Sequence, residues 1–78
     1  MMNNISLQAL QPGQYGRVVS ITGDGIIKRR LIDMGIVVGS KIKLQKFAPL
    51  GDPLEIKVRN FNLSLRKREA DLIKIEVL

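Results

Sequence analysis

At 78 residues the chain is expected to form one domain over residues 1–78, and a chain of this size buries only about 60% of the surface its unfolded form exposes, which leaves little room for a deep catalytic cleft. It contains no cysteine and no histidine, which excludes disulfides, thiolate metal sites, the usual general base and the commonest borderline metal ligand. Thirteen Lys and Arg against seven Asp and Glu give a net charge of +6, a field suited to an anionic partner: nucleic acid, an anionic membrane leaflet or an acidic protein surface.

The opening MMNNISLQAL lacks the basic and long apolar regions of a signal peptide. No apolar run approaches the ~20 residues that span a bilayer, so the expectation is a soluble, cytoplasmic protein. Leu7 and Leu10 are expected to pack as an N-terminal flap before the turn Gln11-Pro12-Gly13. Gln14 to Ile21 reads as a first strand, with Tyr15, Val19 and Ile21 on one parity and Val18 on the other. Thr22-Gly23-Asp24-Gly25 breaks it, and Asp24 can cap a helix by accepting its free first-turn amides. Ile27, Leu31 and Met34 follow at i, i+4 and i+7, one apolar stripe of a short helix. Arg29 can pair with Asp33 one turn on. Gly35 is placed to end the helix in a left-handed conformation, with Ile36 folding back onto Leu31 in a Schellman motif.

Val37-Val38-Gly39-Ser40 reads as a turn into a second strand, SKIKLQKF, in which Ile42 and Leu44 alternate with lysines. The parity breaks at Phe47, which places a bulge or strand end near Gln45-Lys46. Gly51-Asp52-Pro53 is a turn, and Asp52 is expected to cap it. Leu54 to Arg59 and Asn62 to Arg66 form a hairpin with Leu63 and Leu65 facing inward. Lys67 to Asp71 fits one helical turn, and Leu72 to Leu78 is a last strand with Ile73, Ile75 and Val77 on one face. Five strands too short to bury a flat sheet should curl into a small barrel, the single helix covering one end. The fold class is therefore mainly β: an SH3-like five-stranded barrel with one short α-helix between the first and second strands. A β-grasp-like sheet is the alternative on pattern alone.

Catalysis has no support in the residue types present. Ser20, Ser40 and Ser64 have no recognisable base partner, and no two carboxylates are spaced to face one another across a cleft. No catalytic residue, resident cofactor or metal site is predicted; Asp33, Met34, Asp52, Glu69, Asp71 and Glu76 are scattered oxygen and sulfur candidates, with Glu69 and Asp71 read as solvated or helix-capping. Gly23-Asp24-Gly25 lacks the Gly-Lys-Ser/Thr signature of a P-loop. Lys41, Lys43, Lys57, Arg59 and Arg66 lie on polar strand parities and some can share a barrel face, but three aromatics in the chain are too few for a base-stacking platform. No specific nucleic acid is expected.

Two blocks, RRLIDMGIVVG at residues 29–39 and LGDPLEIKVRNFNLSLRKREADL at residues 50–72, together resemble the small bacterial ferrous iron transport protein A family, FeoA. The likeness extends from about Leu10 to the C-terminus and includes Gln11-Pro12-Gly13-Gln14; Val38 departs from it, standing where a proline before the glycine is common. The resemblance implies the SH3-like small barrel and a cytosolic accessory of FeoB, a ferrous iron permease with a cytoplasmic GTPase domain, acting by binding and reaching the inner face of the membrane only through that partner. The surface expected to make contact is the helix and its exit: Arg29, Arg30, Asp33, Met34 and Ile36, with Arg66 and Lys67 nearby. Because Arg29 and Arg30 lie outside the apolar stripe, charge reversal at both is expected to leave the fold intact. The alternatives are a general SH3-like protein-interaction adaptor and a small basic nucleic-acid-binding barrel.

Overall fold

A computed structural model describes residues 4–78; Met1–Asn3, the start of the segment read for a leader, lie outside the described residues. The elements are β1 (Asn4–Ser6), a 3₁₀ turn at Leu7–Ala9, β2 (Tyr15–Ile21), α1 (Gly25–Asp33), β3 (Lys41–Phe47), β4 (Leu54–Val58), β5 (Phe61–Leu65), α2 (Lys67–Ala70) and β6 (Ile73–Val77). All six strands pair antiparallel in one sheet of order β1-β6-β2-β3-β4-β5. The sheet has one strand more than sequence reading predicts. The addition is β1, where Ile5 sits opposite Ile75; three residues are too few for an alternating pattern to declare itself.

The core is one cluster that draws on every strand and on α1. Leu7 and Leu10 are buried, as the flap requires, and the 3₁₀ turn between them begins where Ser6 Oγ accepts the Gln8 amide at 3.3 Å. Leu65 is fully buried and Leu63 packs against the cluster from the sheet's margin. In β2 the expected parity is wrong. Gly16 and Val18 face the core while Tyr15 is exposed, and burial then changes parity to reach Ile21. A bulge is the cause: Val18 pairs with Ile75 and Ser20 with Lys74, so Val19 is the extra residue that flips the faces. The bulge expected in β3 is present, with the register shifting between Leu44 and Lys46. Gly16 brings its backbone against Ile75, where an added Cβ would collide with that side chain.

The helix follows its sequence signals. Asp24 caps it by accepting the Ile27 amide at 3.1 Å. At the other end the Gly35 amide bonds to the Ile32 carbonyl (2.9 Å) and the Ile36 amide to the Leu31 carbonyl (3.0 Å), with Gly35 at φ 92°, which is a Schellman closure. Leu31 and Ile36 are both fully buried, and Ile27 and Met34 are partly buried against the same core.

Leu65→Ala is expected to destabilise the fold by about 2–5 kcal/mol, because it opens a cavity in the one cluster available. Against a total near 5 kcal/mol for a domain this small, this leaves about 0–3 kcal/mol, so chemical denaturation should show a clearly lowered midpoint and, at the upper end of the cost, about half of the molecules unfolded in water. Gly16→Val should cost about 1–3 kcal/mol by overpacking against Ile75, read as a lower midpoint in the same experiment.

Candidate protein-binding surface

The exit of α1 is fixed by its C-terminal closure, and that closure decides which of the predicted contact residues can reach a partner. Arg29 and Asp33 stand on the outer face and pair at 3.5 Å, both well exposed, so the pair itself contributes little. Met34 is half-buried against the core and offers only part of its side chain. Ile36 is corrected: it is 0% exposed, drawn inward by its contact in the Schellman motif, and cannot anchor a partner.

Arg30 is also not the free cation that its position outside the stripe suggests. Its guanidinium Nη1 lies 3.1 Å from Glu69 Oε2. Glu69 is only 4% exposed, and its other oxygen, Oε1, accepts the Arg66 amide at 2.9 Å. A carboxylate in that position is neither solvated nor spare. It caps α2 and carries a buried charge that Arg30 neutralises. Charge reversal at Arg30 would set two carboxylates against each other, so the expectation that both arginines can be reversed without harm fails for Arg30. Asp52 likewise does not cap its own turn; its Oδ1 accepts the Lys67 amide at 2.9 Å, at the start of α2. Glu69 thus ties the Arg30 side chain to the Arg66 amide at the junction of the two helices, while the Lys67 amide is held by Asp52. Beside this junction Gln8 Nε2 donates to Asp71 Oδ1 at 2.8 Å. That hydrogen bond, then one from Ser6 and the nearby Lys74 and Lys67, holds the Asp71 carboxyl below its ordinary pKa.

A second feature lies beyond the helix exit. An open cleft of about 620 Å³ is lined by Tyr15, by the Val37–Ser40 turn, by Lys41 and Lys43 of β3, and by Lys57 to Asn60 at the tip of the β4–β5 hairpin. The sheet register puts Tyr15 opposite Lys43, and Lys43 opposite Lys57. The Lys41 and Lys43 ammonium groups sit 4.6 and 5.7 Å from the Tyr15 ring centroid. Four of the five strand cations singled out from sequence therefore share one face; Arg66 does not, lining a separate cleft with Asp52, Lys67 and Asp71. Sequence reading missed Tyr15 and the Val37–Val38 turn as parts of this face, because the bulge at Val19 hides the outward parity of Tyr15. Among the described residues no group of three acidic, histidine or cysteine side chains could hold a metal ion.

The FeoA domain model matches residues 5–77. The chain belongs to the FeoA domain family. A Fe(2+) transport protein A/Fe(2+) transporter FeoB fusion protein of Porphyromonas gingivalis is 33% identical over 72 residues, covering 92% of this chain and 8% of the fusion protein; the chain thus spans less than a tenth of that relative's length. Among solved structures, the FeoA-like protein of Clostridium acetobutylicum superposes with a TM-score of 0.91 at 38% identity, over 100% of this chain and 91% of that one. The FeoA of Stenotrophomonas maltophilia complexed with zinc, described as a prokaryotic SH3 domain protein, gives a TM-score of 0.79 at 27% identity over 91% and 88% of the two chains. The mainly-β, SH3-like fold expected from the strand pattern is therefore shown, and ferrous iron transport is the setting of the family.

Two outcomes follow for the helix junction. Glu69→Ala should cost about 1–3 kcal/mol, since it removes a charged acceptor from a part-buried amide, and Arg30→Ala a comparable amount, since it leaves the buried Glu69 Oε2 without its partner; thermal melts of the two variants check both. For Asp71, a folded pKa below the unfolded one means that its contribution is present above the unfolded pKa and is lost as pH falls through the folded value. Asp71→Asn should accordingly flatten the acid limb of a stability–pH curve while changing little at neutral pH beyond loss of the bond's charge.

Proposed function

We propose that this FeoA domain acts as a cytoplasmic binding partner of a FeoB-type ferrous iron permease, attaching to its GTPase-bearing soluble part and modulating iron transport without performing chemistry itself. The observation that carries this reading is the fusion relative, in which a homologous stretch and the Fe(2+) transporter FeoB share one chain. Two domains that work when covalently joined have a reason to meet when separate, and fusion only raises their effective concentration. No helix of the described residues is long and apolar enough to cross a membrane, which fits a module that approaches the membrane through its partner.

The contact surface proposed is the helix junction: Arg29, Arg30, Asp33 and the exposed part of Met34, with Arg66 and Lys67 beside them. Its charge would steer encounter with an acidic partner surface. Arg29 and Lys67 are the positions to probe, because Arg30 is occupied by Glu69 and its reversal would confound folding with binding. Arg29→Glu with Lys67→Glu is expected to leave the melting temperature within a few degrees of the parent, lower the association rate with the permease's soluble domain by about 3–10-fold at low salt, and reduce ferrous uptake in cells that lack the native copy. Full uptake by a normally folded double variant would remove this surface. Unchanged uptake after deletion of the whole gene would remove the function.

A further inference from the structure

The cleft between the Val37–Ser40 turn and the β4–β5 hairpin breaks two rules that a merely structural sheet obeys. Like charges directly opposite one another on paired strands are unfavourable, yet Lys43 faces Lys57 and Arg17 faces Lys41 across adjacent ladders. Among the described residues the ion pairs lie elsewhere, at Arg29–Asp33, Arg30–Glu69 and Lys46–Glu55, and none of the cleft's cations takes part in one. At the cleft's rim Arg59 opens the two-residue hairpin turn at φ 58°, a left-handed conformation that glycine or asparagine adopts at lower cost. A charged residue held there spends fold stability on presenting a guanidinium.

We propose that this cleft is a docking groove for an extended acidic segment of the permease's soluble part, with carboxylates at alternate positions. The inference rests on the proposed function and adds a site and a ligand chemistry to it. Lys41 and Lys43 project from one face of β3, so their stems are separated by two residues of strand, about 6.7 Å. An extended segment running beside them repeats its own side chains at the same interval, which matches carboxylates to ammonium groups one for one. Tyr15 and the Val37–Val38 turn supply apolar wall for the intervening residues. Charge complementarity alone would also admit a membrane or a nucleic acid. The concave shape favours a narrow chain over a flat bilayer. The cleft holds a single aromatic, Tyr15, and lysine ammonium groups already lie over its ring, whereas base stacking draws on several rings.

Short peptides of alternating glutamate and alanine, with alternating lysine and alanine as control, are titrated into isotope-labelled protein and followed by amide chemical shifts. Phosphatidylserine vesicles and a single-stranded DNA are titrated in parallel. The glutamate peptide should move Lys41, Lys43, Lys57, Arg59 and the Val37–Ser40 turn, leave α1 in place, and weaken as salt rises. Lys43→Glu with Lys57→Glu preserves a like-charged pair, so it should melt near the parent, while lowering affinity by about tenfold or more. Arg59→Gly should melt at or above the parent temperature and still bind several-fold more weakly, a combination that a structural role for Arg59 cannot produce. Shifts confined to other residues, or tighter binding of vesicles or DNA at these same residues, would overturn the proposal. Capture of the permease's soluble domain separates the two levels. If the parent and the Lys43/Lys57 variant capture it equally, the groove is wrong and the function stands; if the parent captures none, the proposed function falls and takes the identity of the occupant with it.

Discussion

The bond from the Ile36 amide to the Leu31 carbonyl, closed by the left-handed Gly35 with both side chains in the core, is the constraint on which most of this fold depends. A helix of nine residues is too short to persist by itself in water, so α1 exists because Leu31 buries against the sheet and because its last carbonyls are satisfied as the chain reverses. The reversal then sends the following turn across β2. There the Gly39 amide bonds to the Val18 carbonyl (2.8 Å) and the Val18 amide to the Ser40 carbonyl (2.9 Å). Those two bonds meet the strand at its bulge and launch β3 alongside β2. One helix end thus sets the direction of a strand, the height of a turn and the wall of a cleft.

Charge is handled in two opposite ways on this small body. At the helix junction it is balanced internally: Glu69 is buried, and both its oxygens are occupied, one by a backbone amide and one by Arg30. Such a carboxylate orients two helices and ties residues 39 positions apart in sequence, Arg30 and Glu69. On the β2–β3–β4 face the charges are left uncompensated and crowded together. The first arrangement contributes to folding; the second opposes it slightly, which is the cost the proposed docking groove would have to justify. Arg30 shows why a net charge cannot be divided evenly among surface cations, since it stands at the surface yet is committed to a buried carboxylate of the same chain.

Local signals were readable where the physics is local. Asp24 as cap, the Ile27/Leu31/Met34 stripe, Gly35 as stop, the bulge near Gln45 and the Leu63/Leu65 facing each rest on residues within one turn or one strand of each other, and each stands in the structure. Failures came where a distant residue decides. The burial of Tyr15 against that of Val18 depends on an extra residue at Val19 that only its pairing with β6 reveals. Asp52 serves an amide 15 residues away, and Glu69 a guanidinium on another helix. For Ile36 the sequence supports two roles at once, Schellman partner of Leu31 and surface anchor, and the first excludes the second, because the side chain is fully buried where the helix closes.

One end of the sheet carries a liability that the cations hold in check. β5, Phe61-Asn62-Leu63-Ser64-Leu65, forms the outer strand, pairs among the described residues with β4 alone, and bears no charge of its own, while Phe61 at its start is 69% exposed. An uncharged outer strand is a template for edge-to-edge growth unless something keeps copies apart. Here the guard is remote: the +6 net charge of each molecule repels the next. That repulsion reaches about 10 Å at 0.1 M salt and only about 3 Å at 1 M. Salt therefore acts on two things at once: a solution salty enough to screen the cations of the proposed groove is also one in which the molecules can begin to add to one another, strand upon strand.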